Sequence, residues 1–293
     1  MSATRSRLGT TALLCLYQHR LMSTGQLRTL LIPAARDARY LQRELAWLHD
    51  DGLVEAVTCG SAGAALWFVT AEGAALAEGS RQVIARPYRM TAARAAGPLK
   101  DHMLAVNEAG LAFAVASRDC GDTCGPLDWT PEVAHLIRRG QYLICDALVN
   151  YVAEDQAAGT RTQLQWFIEL DRAAMPVSRL AAKLSMYASY RHKQATSTRQ
   201  GGGPGWRERY PAFPRLLIIL TGANESALDR RAADLAAAAV RVQRGRRLAA
   251  GVTTLAQLTD CGPFASIFTP LGGGTSDHRS ALLDMHQLEG EAS

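Results

Sequence analysis

Lysine is almost missing from this 293-residue chain: of its 32 lysines and arginines, only Lys100, Lys183 and Lys193 are lysines. Arginine carries the positive charge, and its abundance goes with an alanine-rich, GC-rich coding bias. The placement of an arginine therefore says more than the number of them, and each lysine stands out. Also missing is any apolar run near the ~20 residues that a bilayer-spanning helix needs. A cleavable leader is not visible either: Arg5 and Arg7 precede only the short, broken run Thr10–Tyr17. A cytoplasmic protein without membrane contact is expected, and its six cysteines are expected to be reduced thiols. Cys120 and Cys124, with His135 further on, fall short of the four ligands of a closed zinc site. The glycine-rich loop Gly201–Gly205 lacks the Gly-Lys-Ser/Thr that follows a strand in a phosphate-binding loop. No nucleotide or organic cofactor is expected.

What is present is a net charge of +5, which favours polyanionic partners, and enough chain for one large or two small domains. Thr10–His19 reads as a helix, and Ser23 or Thr24 can cap a second one holding Leu27, Leu30 and Leu31 before Pro33. A third helix is predicted from about Ala35 to His49. Leu41, Leu45 and Leu48 line its apolar face, and Arg36, Arg39 and Arg43 fall opposite, with Asp37 and Glu44 to one side. Two strands, Leu53–Val57 and Ala65–Thr70, flank a Gly-Ser-rich turn, and Ala71–Ala77 closes the unit as a short helix. Three helices followed by a hairpin are the order of a winged helix-turn-helix, whose third helix enters the major groove. Arg36, Arg39, Tyr40 and Arg43 are the candidate DNA contacts of that helix. A solvated charge stripe is the plain alternative.

The expected organisation is a winged helix over residues 8–80, a linker over 81–98, an α/β domain over 99–272 and a polar tail over 273–293. The linker reading rests on Pro87, Pro98 and the absence of a steady period. Beyond it come a helix, Lys100–Ser117, strands at Trp129–Leu136, Gln141–Val152 and Gln163–Asp171, a helix at Met175–Tyr190 and a strand at Arg215–Leu220. An alanine-rich helix, Asp229–Arg246, and a short strand near Ser266–Pro270 complete the domain. Alternation along Gln163–Asp171 puts Glu169 and Asp171 on one face of their strand.

Helix, three strands, helix, strand resembles the core of the restriction-endonuclease-like fold, the PD-(D/E)xK superfamily, with a central mixed sheet. That resemblance implies an acid on the second strand and, on the third, an acid and a lysine two residues apart. Asp146, in Ile144-Cys145-Asp146-Ala147, matches the first acid, and Glu169 matches the second, 23 residues on. The third position departs from the pattern, because Asp171 stands where lysine is expected. Lys183, on the following helix, is the candidate replacement, and Glu132 can add a carboxylate. Asp146, Glu169, Asp171 and Lys183 are thus the candidate catalytic residues. Asp146, Glu169 and Asp171 are the candidate ligands of Mg²⁺ or Mn²⁺. Arg191 and Lys193, after the core, are further candidate DNA contacts.

The same residues resemble the replication-relaxation family of plasmids and integrated elements, largely actinobacterial. The resemblance runs through the Gln26–Gly52 stretch, His102–Asn107, Glu132, Asp146, the block Trp166-Phe167-Ile168-Glu169-Leu170-Asp171-Arg172 and the helix around Tyr187, from about Thr10 to Gly222. It implies a role in plasmid replication or DNA relaxation. Double-stranded DNA is the expected partner, with plasmid replication or transfer proteins and a second copy of the chain as further candidates. The expectation is a nuclease-like domain that binds metal or DNA and cuts weakly or not at all. The alternatives are an active Mg²⁺-dependent nuclease, a winged-helix regulator with a sensing or dimerising domain, and a protein-binding adaptor.

Overall fold

The computed structural model describes residues 6–35, 37–59, 64–192, 205–242, 248–272 and 280–282. Arg36, the turn at 60–63, Lys193, most of the Gly201–Gly205 loop and nearly all of the 273–293 tail lie outside the described residues. The chain divides into two units: residues 1–115 with 124–130, and residues 116–123 with 131–293.

In the first unit, α1 (Arg7–His19), α2 (Thr24–Leu31) and α3 (Arg39–Asp50) are followed by β2 (Val54–Cys59), β3 (Ala64–Val69) and α4 (Ala71–Gly79). A two-residue β1 (Met22–Ser23) joins the hairpin to give a sheet of order β1-β3-β2. Three helices, a hairpin and a closing helix follow in the order expected from the sequence. Local chemistry starts each helix. Ser6 accepts the amide of Gly9 before α1, and Ser23 and Gln26 form a reciprocal capping box before α2. The third helix begins at Arg39, four residues later than the periodicity predicts. The Asp37 carboxylate accepts the Arg39 amide at 2.8 Å at the start of this helix. Leu41, Leu45 and Leu48 are buried as expected, but Glu44 is buried with them rather than lying beside the arginines.

Residues 81–98, read from the sequence as a linker, are instead packed into the first unit. Tyr88, Met90 and Ala95 join a cluster with Leu21, Leu66 and Phe68. The Tyr17 hydroxyl ties the segment down, accepting from the Arg86 amide at 3.1 Å and donating to Glu78 at 2.6 Å. Arg86 reaches the Gln18 carbonyl at 3.1 Å, and Arg89 pairs with Glu78 at 2.9 Å. Side-chain ties of this kind leave no period in the sequence. α5 (Ala92–Ala95) lies within the segment, and the division between the units falls inside α6 (Lys100–Cys120). The first part of α6 belongs to the first unit. Gln26 donates to the Leu104 carbonyl at 2.9 Å and to Glu108 at 2.8 Å, and Asn107 donates to the Leu21 carbonyl at 2.8 Å. Gly110 is required here, since a Cβ would stand 2.5 Å from the Trp129 ring.

The second unit is a mixed sheet of order β4-β5-β6-β7-β8-β9. Its strands are β4 (Trp129–Arg138, the first two residues of which fall in the first unit), β5 (Gln141–Asp155), β6 (Thr160–Asp171), β7 (Arg215–Leu220), β8 (Ala250–Thr254) and β9 (Thr269–Pro270). β5 and β6 pair antiparallel, and β6, β7 and β8 run parallel. Two helices, α7 (Val177–His192) and α8 (Glu225–Val242), carry the chain between the parallel strands, as parallel pairing requires. Leu184, Tyr187, Leu228 and Leu235 from these helices pack on Phe167, Leu216 and Ile218 of the sheet. The sequence did not lead us to expect β8 or the short α9 (Leu255–Cys261) after it. β8 is an Ala-Gly-Val-Thr-Thr segment with little apolar signal, buried because it lies inside the sheet. No described helix is long and apolar enough to cross a membrane.

Candidate phosphodiester site and DNA-facing helix

The last six residues of β6 are all buried, and Phe167, Glu169 and Asp171 share the face covered by α7 and α8. Burying two acids there demands partners, and each has one from a different helix. Lys183 of α7 makes a close ion pair with Glu169 Oε2, and its Nζ lies 3.9 Å from Asp146 Oδ1. The Tyr187 hydroxyl, one turn further along α7, donates to Glu169 Oε1. Asp146 reaches across from β5 and accepts the Leu170 amide at 2.7 Å. Leu143, Cys145 and Leu148 of β5 all join this core, so strict two-residue alternation of that face is broken between Cys145 and Leu148, the stretch that carries Asp146.

The electrostatics follow from depth. The Glu169 side chain is 4% exposed, against 20% for Asp146 and 31% for Lys183. Burial, and then the charge of Asp146, push Glu169 up to about 8, while Lys183 and Tyr187 pull the other way. Burial disfavours the Lys183 ammonium, but Glu169 and Asp146 together hold its pKa above the ordinary lysine value. Burial and the Glu169 charge also raise Tyr187, so its hydroxyl is a donor. Asp146 and Lys183 thus keep part of their side chains exposed, while Glu169 is buried.

Asp171 does not join this group. It makes a close ion pair with Arg231 of α8, which also donates to the Met175 carbonyl at 2.5 Å. The expectation that three carboxylates converge is corrected to two carboxylates and an ammonium. Among the described residues, no three His, Cys, Asp or Glu side chains are placed to hold a metal ion. Glu132 is exposed, with φ at 53°. His135 is buried with its Nε2 2.5 Å from the Tyr210 hydroxyl, in a different unit from Cys124.

In the first unit, Arg39, Tyr40 and Arg43 are all exposed. Arg39 is tied to Asp37 by a close ion pair; its backbone amide first, and then its guanidinium, hold the Asp37 carboxyl below its usual range. Arg43 lies between two rings, 5.1 Å from Tyr40 and 5.3 Å from Trp47. Trp47 was not expected at this face, although its spacing from Arg43, one helical turn, makes it readable. Arg191 packs its guanidinium 5.8 Å from the Phe213 ring and gives its carbonyl to the Trp206 indole at 2.8 Å. Arg36 and Lys193 lie outside the described residues.

A family model described as replication-relaxation matches residues 13–205, about two thirds of the chain. No curated protein and no solved structure matches.

Proposed function

The chain belongs to the replication-relaxation family, and from that premise we propose that it binds duplex DNA through α3 and cleaves a phosphodiester at Asp146, Glu169 and Lys183. Its setting is the replication of plasmids or mobile elements. The carrying observation is that Lys183 of α7 meets Asp146 and Glu169, so an ammonium is supplied where the PD-(D/E)xK pattern has a strand lysine and this chain has Asp171. The sequence alone favoured weak or absent cutting because that lysine was missing. Its presence from the next helix favours the active alternative.

The donors fit a divalent cation of the Mg²⁺ kind, which is held by one or two carboxylates together with waters and substrate phosphate oxygens. Asp146 and Glu169 are the two that would hold it. When bound, such an ion acidifies a water and neutralises phosphate charge. Lys183 is partly exposed at the mouth, where its ammonium orients the attacking water and offsets charge developing on the phosphate. Asp146 keeps the β6 backbone in register through the Leu170 amide while presenting its other oxygen. On α3, Arg43 is bracketed by two rings, which restricts its guanidinium before a phosphate or a guanine edge arrives.

The test is a calorimetric titration of Mn²⁺ into the full chain and into Asp146→Asn. One site per chain, lost or strongly weakened in the variant, is the expected result. Equal binding by both proteins, or none by either, overturns the cation site.

A further inference from the structure

We propose that Tyr187 is a positioning residue of the cation site, locking the Glu169 carboxylate with Oε1 against the core and Oε2 toward Lys183 and Asp146. This rests on the reading of Asp146 and Glu169 as cation donors. The two oxygens of Glu169 have different work. Oε1 accepts from the Tyr187 hydroxyl, and Oε2 meets Lys183 on the side where Asp146 stands. Tyr187 follows Lys183 by four residues on α7, so both groups approach from one helix face.

The tyrosine is itself held. Its ring is fully buried and packs at 5.3 Å from the Phe167 ring, whose strand also carries Glu169. A glutamate has three side-chain torsions, and an unheld carboxylate would rotate among positions. A Mg²⁺-type ion accepts little of that freedom, because it demands near-octahedral donors at about 2.0–2.1 Å. A buried hydroxyl bonded to the carboxylate oxygen that the cation does not use removes the rotation. Outer groups that orient a metal donor typically change affinity by about 10- to 100-fold.

The experiment uses the full chain and Mn²⁺ alone, with affinity read by calorimetry and geometry by the electron paramagnetic resonance spectrum of the bound ion. Tyr187→Phe keeps the ring and its packing. It is expected to bind Mn²⁺ about tenfold more weakly or worse, with a broadened spectrum and a cooperative melt at a somewhat lower temperature, since a buried acceptor loses its donor. A second pair, Glu169→Asp with and without Tyr187→Phe, closes a double-mutant cycle. Aspartate is too short to keep the hydroxyl bond, so the tyrosine change should have no further effect there. Unchanged affinity and spectrum in Tyr187→Phe overturn the positioning role, as does an equal loss in the Glu169→Asp background. Absence of Mn²⁺ binding by the parent protein overturns the cation reading itself and the positioning role with it, which separates the two failures.

Discussion

Replacing Arg231 with methionine asks whether Asp171 is a structural acid or a member of the reactive site. Arg231 and Asp171 form a close pair whose side chains are 12% and 7% exposed. Methionine fills much of the arginine stem's volume but leaves the carboxylate facing apolar surroundings. Breaking a buried pair by removing one partner costs about 3–5 kcal/mol. Urea melts followed by tryptophan fluorescence should therefore show a loss of about 3–5 kcal/mol at pH 7. Adding Asp171→Leu to the arginine variant should restore most of it, since apolar replacement of a buried pair is often neutral. A loss under about 1 kcal/mol at pH 7 would show that Asp171 does not depend on Arg231. Abolition of Mn²⁺ binding by Asp171→Asn would refute the reasoning and return Asp171 to the cation site.

Mn²⁺ should bind more tightly as pH rises, because Glu169, raised to about 8, must lose its proton to act as a donor. The expected change is about tenfold per pH unit between pH 6 and 8, measured by calorimetry and removed in Glu169→Gln. In the first unit, replacing Arg39 and Arg43 with alanine leaves Leu41, Leu45 and Leu48 buried, so the fold should survive. The salt dependence of duplex binding should flatten by about two units of slope, read by fluorescence anisotropy across a salt series. Limited trypsin digestion should cut after the exposed Arg81 before it cuts after Arg89, which is half-buried and paired with Glu78; mass spectrometry of the first fragments checks the order.

The parts of the fold that repeat were legible in the sequence. Leu41, Leu45 and Leu48 repeat at helical spacing, Trp166 to Asp171 alternate, and β7 matches its expected limits, Arg215–Leu220. The segment 81–98 was not legible, because Tyr17 and Gln18 bond to Arg86 from far back in the chain and Leu21, Leu66 and Phe68 pack with Tyr88, Met90 and Ala95. In the site, Asp146 and Glu169 were readable from strand position and Lys183 from its rarity. Tyr187 could have been tied to Lys183 by its four-residue spacing. Arg231 could not be assigned to Asp171, since sixty residues and a helix–sheet crossover separate them. Period 2 correctly put Glu169 and Asp171 on one face, but it carries no information about which helix supplies a cation to each.

Conversion of supercoiled plasmid to open circles, followed on agarose gels with Mg²⁺ present, reads phosphodiester cleavage itself, since one nick relaxes a supercoiled circle. The full chain should produce open circles, a chelator should stop it, and Asp146→Asn and Lys183→Met should each lose the activity while binding duplex DNA like the parent. Failure of the parent protein to nick DNA, or nicking by Lys183→Met at the parent rate, would contradict the assignment of Asp146, Glu169 and Lys183 as one phosphodiester-cleaving site.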